Sequence, residues 1–391
     1  MHTILHLDLD AFFCAVEELH DPSLRGKAFA VGGRPEGRGV VASCSYPARM
    51  FGIHSAMPTS RALRLCPGLI VLSHHHGNYG EMSDKVMDLL HAISPFVEQI
   101  SIDEAFVDIG GLGDPEILAR RLQSEVRDGL GLPCSIGIAS NKLVAKIATE
   151  VGKKSGKKGE SPNALTIVPA GGEAAFLRPL PVNMLWGVGP KTEARLLEYG
   201  IRIISDITNQ PETNMLRWFG ENGRDLWKHA HGIDERPIFT EYEAKSISQE
   251  VTFARDVSDD RSLERTLRDL ADQVGRRLRR DDLAGTTVKI KLRWPNFTTL
   301  TRQISLPQPT DQNEEIYLVA LELLRKVRTT HQAVRLIGVG VSGFKPPVRQ
   351  LGLWDGASEK HRKLQEAVDE LQEKYGKRVI QRGKVNKDRK G

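Results

Sequence analysis

The chain has 391 residues, with 55 Lys and Arg against 50 Asp and Glu. That length allows two to four domains with cores of their own, and the small positive balance permits a polyanion partner without requiring one. Eleven basic against six acidic residues after position 357 already equal the net charge of +5, so local patches matter more than the sum.

No run approaches the roughly eighteen apolar residues of a membrane span, and the first residues lead directly into a strand. The four cysteines, Cys14, Cys44, Cys66 and Cys134, show no C-x-x-C spacing. A soluble, cytoplasmic protein with reduced thiols and no membrane partner is expected.

The first strand runs from Ile4 to Asp10. Leu5, Leu7 and Leu9 alternate with His6, Asp8 and Asp10, so the leucines face a core while Asp8 and Asp10 share the other face and point away from it. Ala11-Phe12-Phe13 opens an amphipathic helix to about Leu19, whose free amides suit a triphosphate; by itself Phe13 reads as core. Residues 25–67, rich in glycine, form a small subdomain containing Tyr46-Pro47-Ala48-Arg49. Tyr46 and Arg49 have the donors to clamp phosphate oxygens. Alone, they read rather as a half-buried tyrosine and a solvated arginine.

His74, His75 and His76 cannot all face one ion from a regular element, so they mark a connection rather than a metal site. Tyr79 to Ile93 is a helix. Apolar runs on both sides of Asp103-Glu104 read as antiparallel strands joined by a tight turn, which puts both acids at a sheet edge beside the first strand. A helix from Pro115 to Leu130, a strand from Cys134 to Ile138 and a helix from Asn141 to Val151 complete an open α+β sheet. Lys142 and Lys146 on that helix read as solvated. The basic, glycine-rich stretch from Lys153 to Asn163 has the composition of a disordered loop.

Around Leu180 to Thr192, two helical stretches flank Gly187-Val188-Gly189-Pro190-Lys191, a turn suited to binding a phosphate through its amides. A charged connector then leads to strand 246–253, helix 263–280, strands 286–294 and 298–306, helix 314–327 and strand 333–344, a βαββαβ split motif. Lys289, Lys291 and Arg293 alternate on one strand face that suits backbone phosphates. Gln350-Leu351-Gly352-Leu353-Trp354 is a short extended peptide of the kind that docks in a hydrophobic groove. A helix is expected over 361–375, and a basic tail follows.

Asp8, Asp103 and Glu104, converging without His or Cys, make a hard-oxygen site for Mg²⁺ or Mn²⁺ rather than zinc. Two such ions about 3.5–4 Å apart support displacement at phosphorus. Four blocks carry a resemblance: His6-Leu7-Asp8-Leu9-Asp10-Ala11-Phe12-Phe13, Tyr46-Pro47-Ala48-Arg49 with Phe51-Gly52, Ser101-Ile102-Asp103-Glu104-Ala105, and Gly137-Ile138-Ala139-Ser140-Asn141-Lys142. In this order they resemble the Y-family lesion-bypass DNA polymerases, most closely the DNA polymerase IV branch, over residues 1 to about 380.

The resemblance implies an α+β right-hand polymerase. It has a ferredoxin-like palm (1–10 and 77–165), small fingers (11–76), a helix-hairpin-helix thumb (166–233), a linker (234–245), a βαββαβ little finger (246–345) and a clamp-binding tail (346–391). It implies a low-fidelity, template-directed, monomeric translesion enzyme without proofreading, acting on primer-template DNA and deoxynucleoside triphosphates. Two Mg²⁺, or Mn²⁺ in their place, would sit on Asp8, Asp103, Glu104 and the Leu9 carbonyl, with Asp10 in support.

Phe12 and Phe13 would meet the nucleotide, with Phe13 under its sugar, while Tyr46, Arg49 and Lys153 hold its phosphates. Gly187, Gly189, Lys191, Lys289, Lys291 and Arg293 would touch DNA, and Gln350, Leu351, Leu353 and Trp354 the sliding clamp. The stretch from Lys153 to Asn163 is longer than the family's usual Lys-Pro-Asn/Asp-Gly turn, which leaves open which lysine meets phosphate. Cys44-Ser45 stands where relatives often carry Ala-Asn. A nucleotide cyclase on a similar sheet would need none of the DNA-gripping parts, and a UmuC-type polymerase would share the acids but depend on accessory subunits.

Overall fold

The leucine alternation at the start of the chain does build a strand, β1 (Ile4–Leu9), at the centre of a five-stranded sheet. A computed structural model describes residues 2–73, 76–241, 243–328, 332–345, 364–365, 367–371 and 374–376. The chain divides into two compact units, Met1–Tyr242 and Glu243–Gly391.

In the first unit, β1 is followed by α1 (Phe12–His20), β2 (Phe29–Gly32), β3 (Val41–Cys44), α2 (Tyr46–Arg49), α3 (Thr59–Leu65), β4 (Ile70–Leu72) and α4 (His76–Ile93). Then come β5 (Val97–Gln99), β6 (Glu104–Asp108), α5 (Pro115–Ser124), β7 (Cys134–Ala139), α6 (Lys142–Ser155) and β8 (Leu165–Ile167). The large sheet has the order β5-β6-β1-β7-β8, and β2, β3 and β4 form a separate small sheet. The expected hairpin is present as antiparallel β5 and β6, and β6 pairs directly with β1. The helix predicted over 115–130 is α5 continued by a π-helical turn at Glu125–Gly129. The helix predicted to end at Val151 runs one turn further and so carries Lys153.

The two faces of the large sheet differ in chemistry. On one, Leu5, Leu7, Leu9, Ala105, Val107, Ile136 and Ile138 join residues of α1, α4 and α5 in an apolar core. The other face turns the acids away from that core, as expected, but it is itself covered: His6 and Asp10 are 0 % and 1 % exposed. Helix α6 lies over this face, and its Leu143, Val144, Ile147 and Ala148 pack into a second core with Phe106. The close approach is permitted by Gly137 on β7, where an added Cβ would stand 2.1 Å from the Ala145 carbonyl oxygen and 2.5 Å from the Thr149 nitrogen.

Five short helices complete the unit: α7 (Glu173–Leu177), α8 (Pro190–Glu198), α9 (Ile204–Thr208), α10 (Glu212–Phe219) and α11 (Glu221–Ala230). The second unit has β9 (Ser246–Val257), α12 (Asp260–Arg280), β10 (Ala284–Arg293), β11 (Thr299–Thr310), α13 (Asn313–Val327) and β12 (Val334–Lys345). Its antiparallel sheet has the order β11-β10-β12-β9, the expected βαββαβ motif. Leu267, Leu270 and Val274 of α12 and Ile316, Ala320 and Leu324 of α13 bury one face of that sheet. All four cysteines are free and buried. Among the described residues no helix is long and apolar enough to cross a membrane.

Because backbone rather than a mobile side chain opposes it, a methyl at Gly137 must push α6 off the sheet. Gly137→Ala should cost about 1–3 kcal/mol of stability, read as a lowered denaturation midpoint. An unchanged midpoint would show that α6 and β7 have room to separate.

Candidate active site

The register brings the acids together. Asp8 pairs with Glu104 on β6 and with Ser135 on β7, and one row below, Phe106 lies between His6 and Glu98 of β5. Directly opposed residues share a face, so Glu98, His6, Asp8 and Glu104 all project toward α6. Asp103 closes the turn before β6, where its backbone carbonyl accepts from the Leu9 N–H at 2.9 Å and its carboxylate accepts from Ser101 Oγ at 2.5 Å.

Helix α6 answers this face with one stripe of residues. Lys142, Lys146, Thr149 and Lys153 are spaced four, three and four apart, one side of a helix. Lys142 Nζ donates to Glu98 at 2.8 Å, Lys146 Nζ to Glu104 at 2.5 Å, and Thr149 Oγ1 lies 2.9 Å from His6 Nδ1. Lys153 pairs with Asp8 and stands 3.7 Å from Asp10. The reading of Lys142 and Lys146 as solvated is therefore corrected: Lys142 is 3 % exposed, and Lys146 is only one-fifth exposed. The 4-3-4 spacing was visible in the sequence, but the strands that the stripe meets were not.

This environment moves the titrations. Burial drives the Asp8 carboxyl up to about 6, against the charge and hydrogen bond of Lys153 and with help from Asp103. Burial would also raise Glu104, but contacts with His6 and Lys146 outweigh it and hold the group at about 2. Burial likewise disfavours the Lys153 cation, yet Asp8 and Asp10 reverse the direction and raise its pKa. His6, fully buried, is lowered to about 4 chiefly by desolvation.

Among the described residues no three of His, Cys, Asp and Glu are gathered tightly enough to hold a metal ion. As they stand, Asp8 is taken by Lys153, Glu104 by Lys146 and Asp103 by Ser101. The donor set is nevertheless all oxygen and anionic, with Asp8 and Glu104 side by side in register and Asp103 at the turn before β6. That chemistry fits a hard divalent cation.

The stretch from Lys153 to Asn163 is not a free loop. Asp10 accepts from Ser161 Oγ at 3.2 Å, from the Asn163 N–H at 3.0 Å and from Ser135 Oγ at 2.9 Å, so it ties the stretch to the sheet. Between β1 and α1, Ala11 adopts a left-handed conformation at φ 48°, and as an alanine at the N-cap it leaves the first amides of α1 without a side-chain cap. Phe12 is buried in the core beneath. Phe13 is partly buried and stacks on Tyr79 at 4.4 Å, and the Tyr79 hydroxyl donates to Glu17 at 2.5 Å. Tyr79 was not singled out from the sequence.

Ser45 caps α2 and Pro47 sits in its first turn, which explains the tight Tyr46–Arg49 helix. The Arg49 guanidinium lies 4.5 Å from the Tyr46 ring centre, and the Tyr46 hydroxyl approaches Asp10 at 3.5 Å. A cavity of about 210 Å³ is lined by Asp8, Leu9, Asp103, Phe12, Phe13, Arg49 and Lys153, together with Ala42 and Ser43.

Gly187 takes a positive φ of 96° and Gly189 precedes α8, while Gly187 and Lys191 line a separate cavity of about 440 Å³ with Trp186, Arg195 and Phe219. In the second unit, Lys289 and Lys291 of β10 lie opposite Gly340 and Gly338 of β12. Lys291 pairs with Glu250 at 2.8 Å, and Arg293 Nε donates to Thr299 at 2.9 Å. Gln350, Leu351, Leu353 and Trp354 lie outside the described residues, as do His74 and His75.

Comparison with known proteins agrees with this geometry. Residues 7–150 match the impB/mucB/samB family, residues 171–201 the IMS family HHH motif and residues 244–353 the impB/mucB/samB family C-terminal domain. The DNA polymerase IV of Desulfatibacillum aliphaticivorans is 40% identical over 386 residues, 97% of this chain and 95% of that protein. That of Streptomyces coelicolor is 44% identical over 349 residues, 88% of this chain and 71% of the relative. Among solved structures, the Y-family DNA polymerase chimera Dbh-Dpo4(243-245)-Dbh superposes with a TM-score of 0.78 at 25% identity, covering 87% of this chain and 98% of the chimera. The chain belongs to the impB/mucB/samB family of Y-family DNA polymerases, with its similarity to the DNA polymerase IV group running almost end to end.

The buried His6 makes a pH prediction. Its folded pKa, about 4, lies below the unfolded value of 6.5, so the unfolded chain binds the extra proton and stability is lost as pH falls through that window. Comparison with His6→Gln isolates this group from Asp8, whose raised pKa acts with the opposite sign. Denaturant titrations from about pH 7.5 to about pH 5 should show the unaltered chain losing about 2 kcal/mol more than the variant. Parallel losses would mean that His6 is protonated in the fold.

Proposed function

We propose that the chain is a template-directed DNA polymerase of the translesion type, which adds deoxynucleotides to a primer with low fidelity and without proofreading. The observation that carries this reading is the meeting of Asp8, Asp103, Phe13, Arg49 and Lys153 around one cavity, with Glu104 beside Asp8 in register. Palm (1–10 and 77–165), fingers (11–76), thumb (166–233), linker (234–245) and little finger (246–345) are the domains of this reading.

Two Mg²⁺, or Mn²⁺ in their place, held by Asp8, Asp103, Glu104 and the Leu9 carbonyl, would supply positive charge at the phosphates and acidify the primer 3′-hydroxyl. The protein's own groups do the rest. Lys153, released from Asp8, meets the triphosphate together with Arg49 and Tyr46, and the uncapped amides of α1 add donors. Asp10 holds the stretch from Ser161 to Asn163, and so the end of α6, in place. Phe13, braced by Tyr79, is the side chain that excludes a 2′-hydroxyl in this reading, which makes the substrate a deoxynucleotide. Ala42 and Ser43 put only small side chains on the cavity wall, in keeping with tolerance of damaged templates.

Primer-template DNA is held by the turn Gly187-Val188-Gly189 with Lys191, and by Lys289, Lys291 and Arg293. Gln350, Leu351, Leu353 and Trp354 dock the chain, a cytoplasmic monomer, on the replication sliding clamp. These assignments rest on residue chemistry and on the family.

Primer extension with Mg²⁺ and deoxynucleotides tests the reading. Asp103→Ala should slow nucleotide addition by on the order of a thousandfold while primed DNA still binds. No extension by the unaltered chain would sink autonomous catalysis and favour a UmuC-type enzyme dependent on accessory subunits. Phe13→Ala should lower discrimination against ribonucleotides by on the order of a hundredfold, measured as the ratio of kcat/KM for the two sugars. An unchanged ratio would move the exclusion to another side chain.

A further inference from the structure

Lys142 and Glu98 form a charged pair that no step of nucleotide addition uses. They are 3 % and 2 % exposed, with Nζ 2.8 and 3.1 Å from the two carboxylate oxygens. Desolvation of two such charges offsets much of their attraction, so what else they hold matters. Glu98 also accepts the backbone N–H of Phe239 at 2.8 Å, and the Phe239 ring centre lies 5.0 Å from the Lys142 ammonium.

Phe239 belongs to the segment that leaves the helical part of the first unit and has no helix or strand of its own. The same segment is fastened twice more to the start of α6. The Asn141 side-chain amide donates to the Gly232 carbonyl at 2.9 Å, and the Leu143 N–H donates to the Asp234 carboxylate at 3.0 Å. Arg236 in turn grips Asp234 at 2.6 Å and lies 4.4 Å from the Trp186 ring centre.

We propose that the Glu98–Lys142 pair is the anchor of the connection between the two units, so that the tether to the second unit begins at Thr240 rather than just after Gly232. The inference rests on reading the second unit as a DNA-gripping domain. Six residues separate the anchor from β9, Thr240 to Lys245, where thirteen would do so from Ile233. The effective concentration of a tethered domain falls as about the three-halves power of tether length, so release of the whole segment from Ile233 to Phe239, the Asp234 and Arg236 contacts going with the anchor, weakens bivalent grip on DNA about threefold. Glu98 and Lys142 are then positioning residues. They set how tightly the enzyme holds DNA and leave the chemical step alone.

Two variants of the full chain test this. Phe239→Pro removes the N–H donor and the ring at a residue that is 45 % exposed, leaving the charged pair in place. A second variant keeps the anchor and inserts seven Gly and Ser residues after Thr240, restoring the longer tether. Amide hydrogen exchange over residues 232–239, the Kd for primed DNA and kcat at saturating DNA are measured for each. In the unaltered chain the Phe239 amide exchanges slowly. Phe239→Pro loses protection across the segment and raises Kd about threefold with kcat unchanged, and the insertion raises Kd by a similar factor with protection intact.

A rapidly exchanging Phe239 amide in the unaltered chain, or a Kd that neither variant moves, overturns the anchor and leaves the polymerase reading standing. Failure of the unaltered chain to bind primed DNA overturns both.

Discussion

A row of carboxylates turned inward under a helix is the constraint on which the first unit depends. Unpartnered, such charges would cost far more than the fold has to spare. The stripe of Lys142, Lys146, Thr149 and Lys153 offsets much of that cost by bringing an ammonium group to Glu98, Glu104 and Asp8 and a hydroxyl to His6 Nδ1. Charge compensation for the acids is therefore available from within the chain. An ammonium group is also an exchangeable partner, since it can turn from a carboxylate to a phosphate while retaining its charge.

The two ends of the stripe stand in different surroundings. Lys142 is almost wholly enclosed with Glu98, and Lys153 stands at the wall of the cavity. One rigid helix thus joins the anchor of the connecting segment to the groups around the cavity. Its place on the sheet is set by the absence of a side chain at Gly137 and by Asp10, which gathers the chain beyond the helix. A left-handed Ala11 costs about 1 kcal/mol in an alanine, and the raised Asp8 carboxyl is a further local penalty. Both lie at the cavity, where departures from locally favourable structure are expected if the arrangement serves chemistry.

The second unit obeys simpler rules. Amphipathic α12 and α13 cover one face of its sheet, and the other face carries Lys289, Lys291 and Arg293 with small polar neighbours. Gly338 and Gly340 leave the centre of that face low between β10 and β9. The result is a shallow polar surface on which Lys291 is paired with Glu250.

Much of this was legible in the amino-acid order. Period-two alternation placed Leu5, Leu7 and Leu9 in a core, apolar runs around Asp103-Glu104 specified a hairpin, and the six elements of the second unit followed from strand and helix patterns. These are local regularities, each repeated over several residues, so the sequence alone determined the elements and the identity of the acids. Only the tertiary structure decided that the acidic face is covered, that Lys142 and Lys146 are paired rather than solvated, and that Asp10 organises the stretch from Ser161 to Asn163. Tyr79 behind Phe13 and Phe239 against Glu98 belong with these. Each is a contact between residues far apart in the chain, and its energy depends on desolvation and on a partner's position. Neither quantity has a local signature, and both come into being only when α6 closes over the sheet.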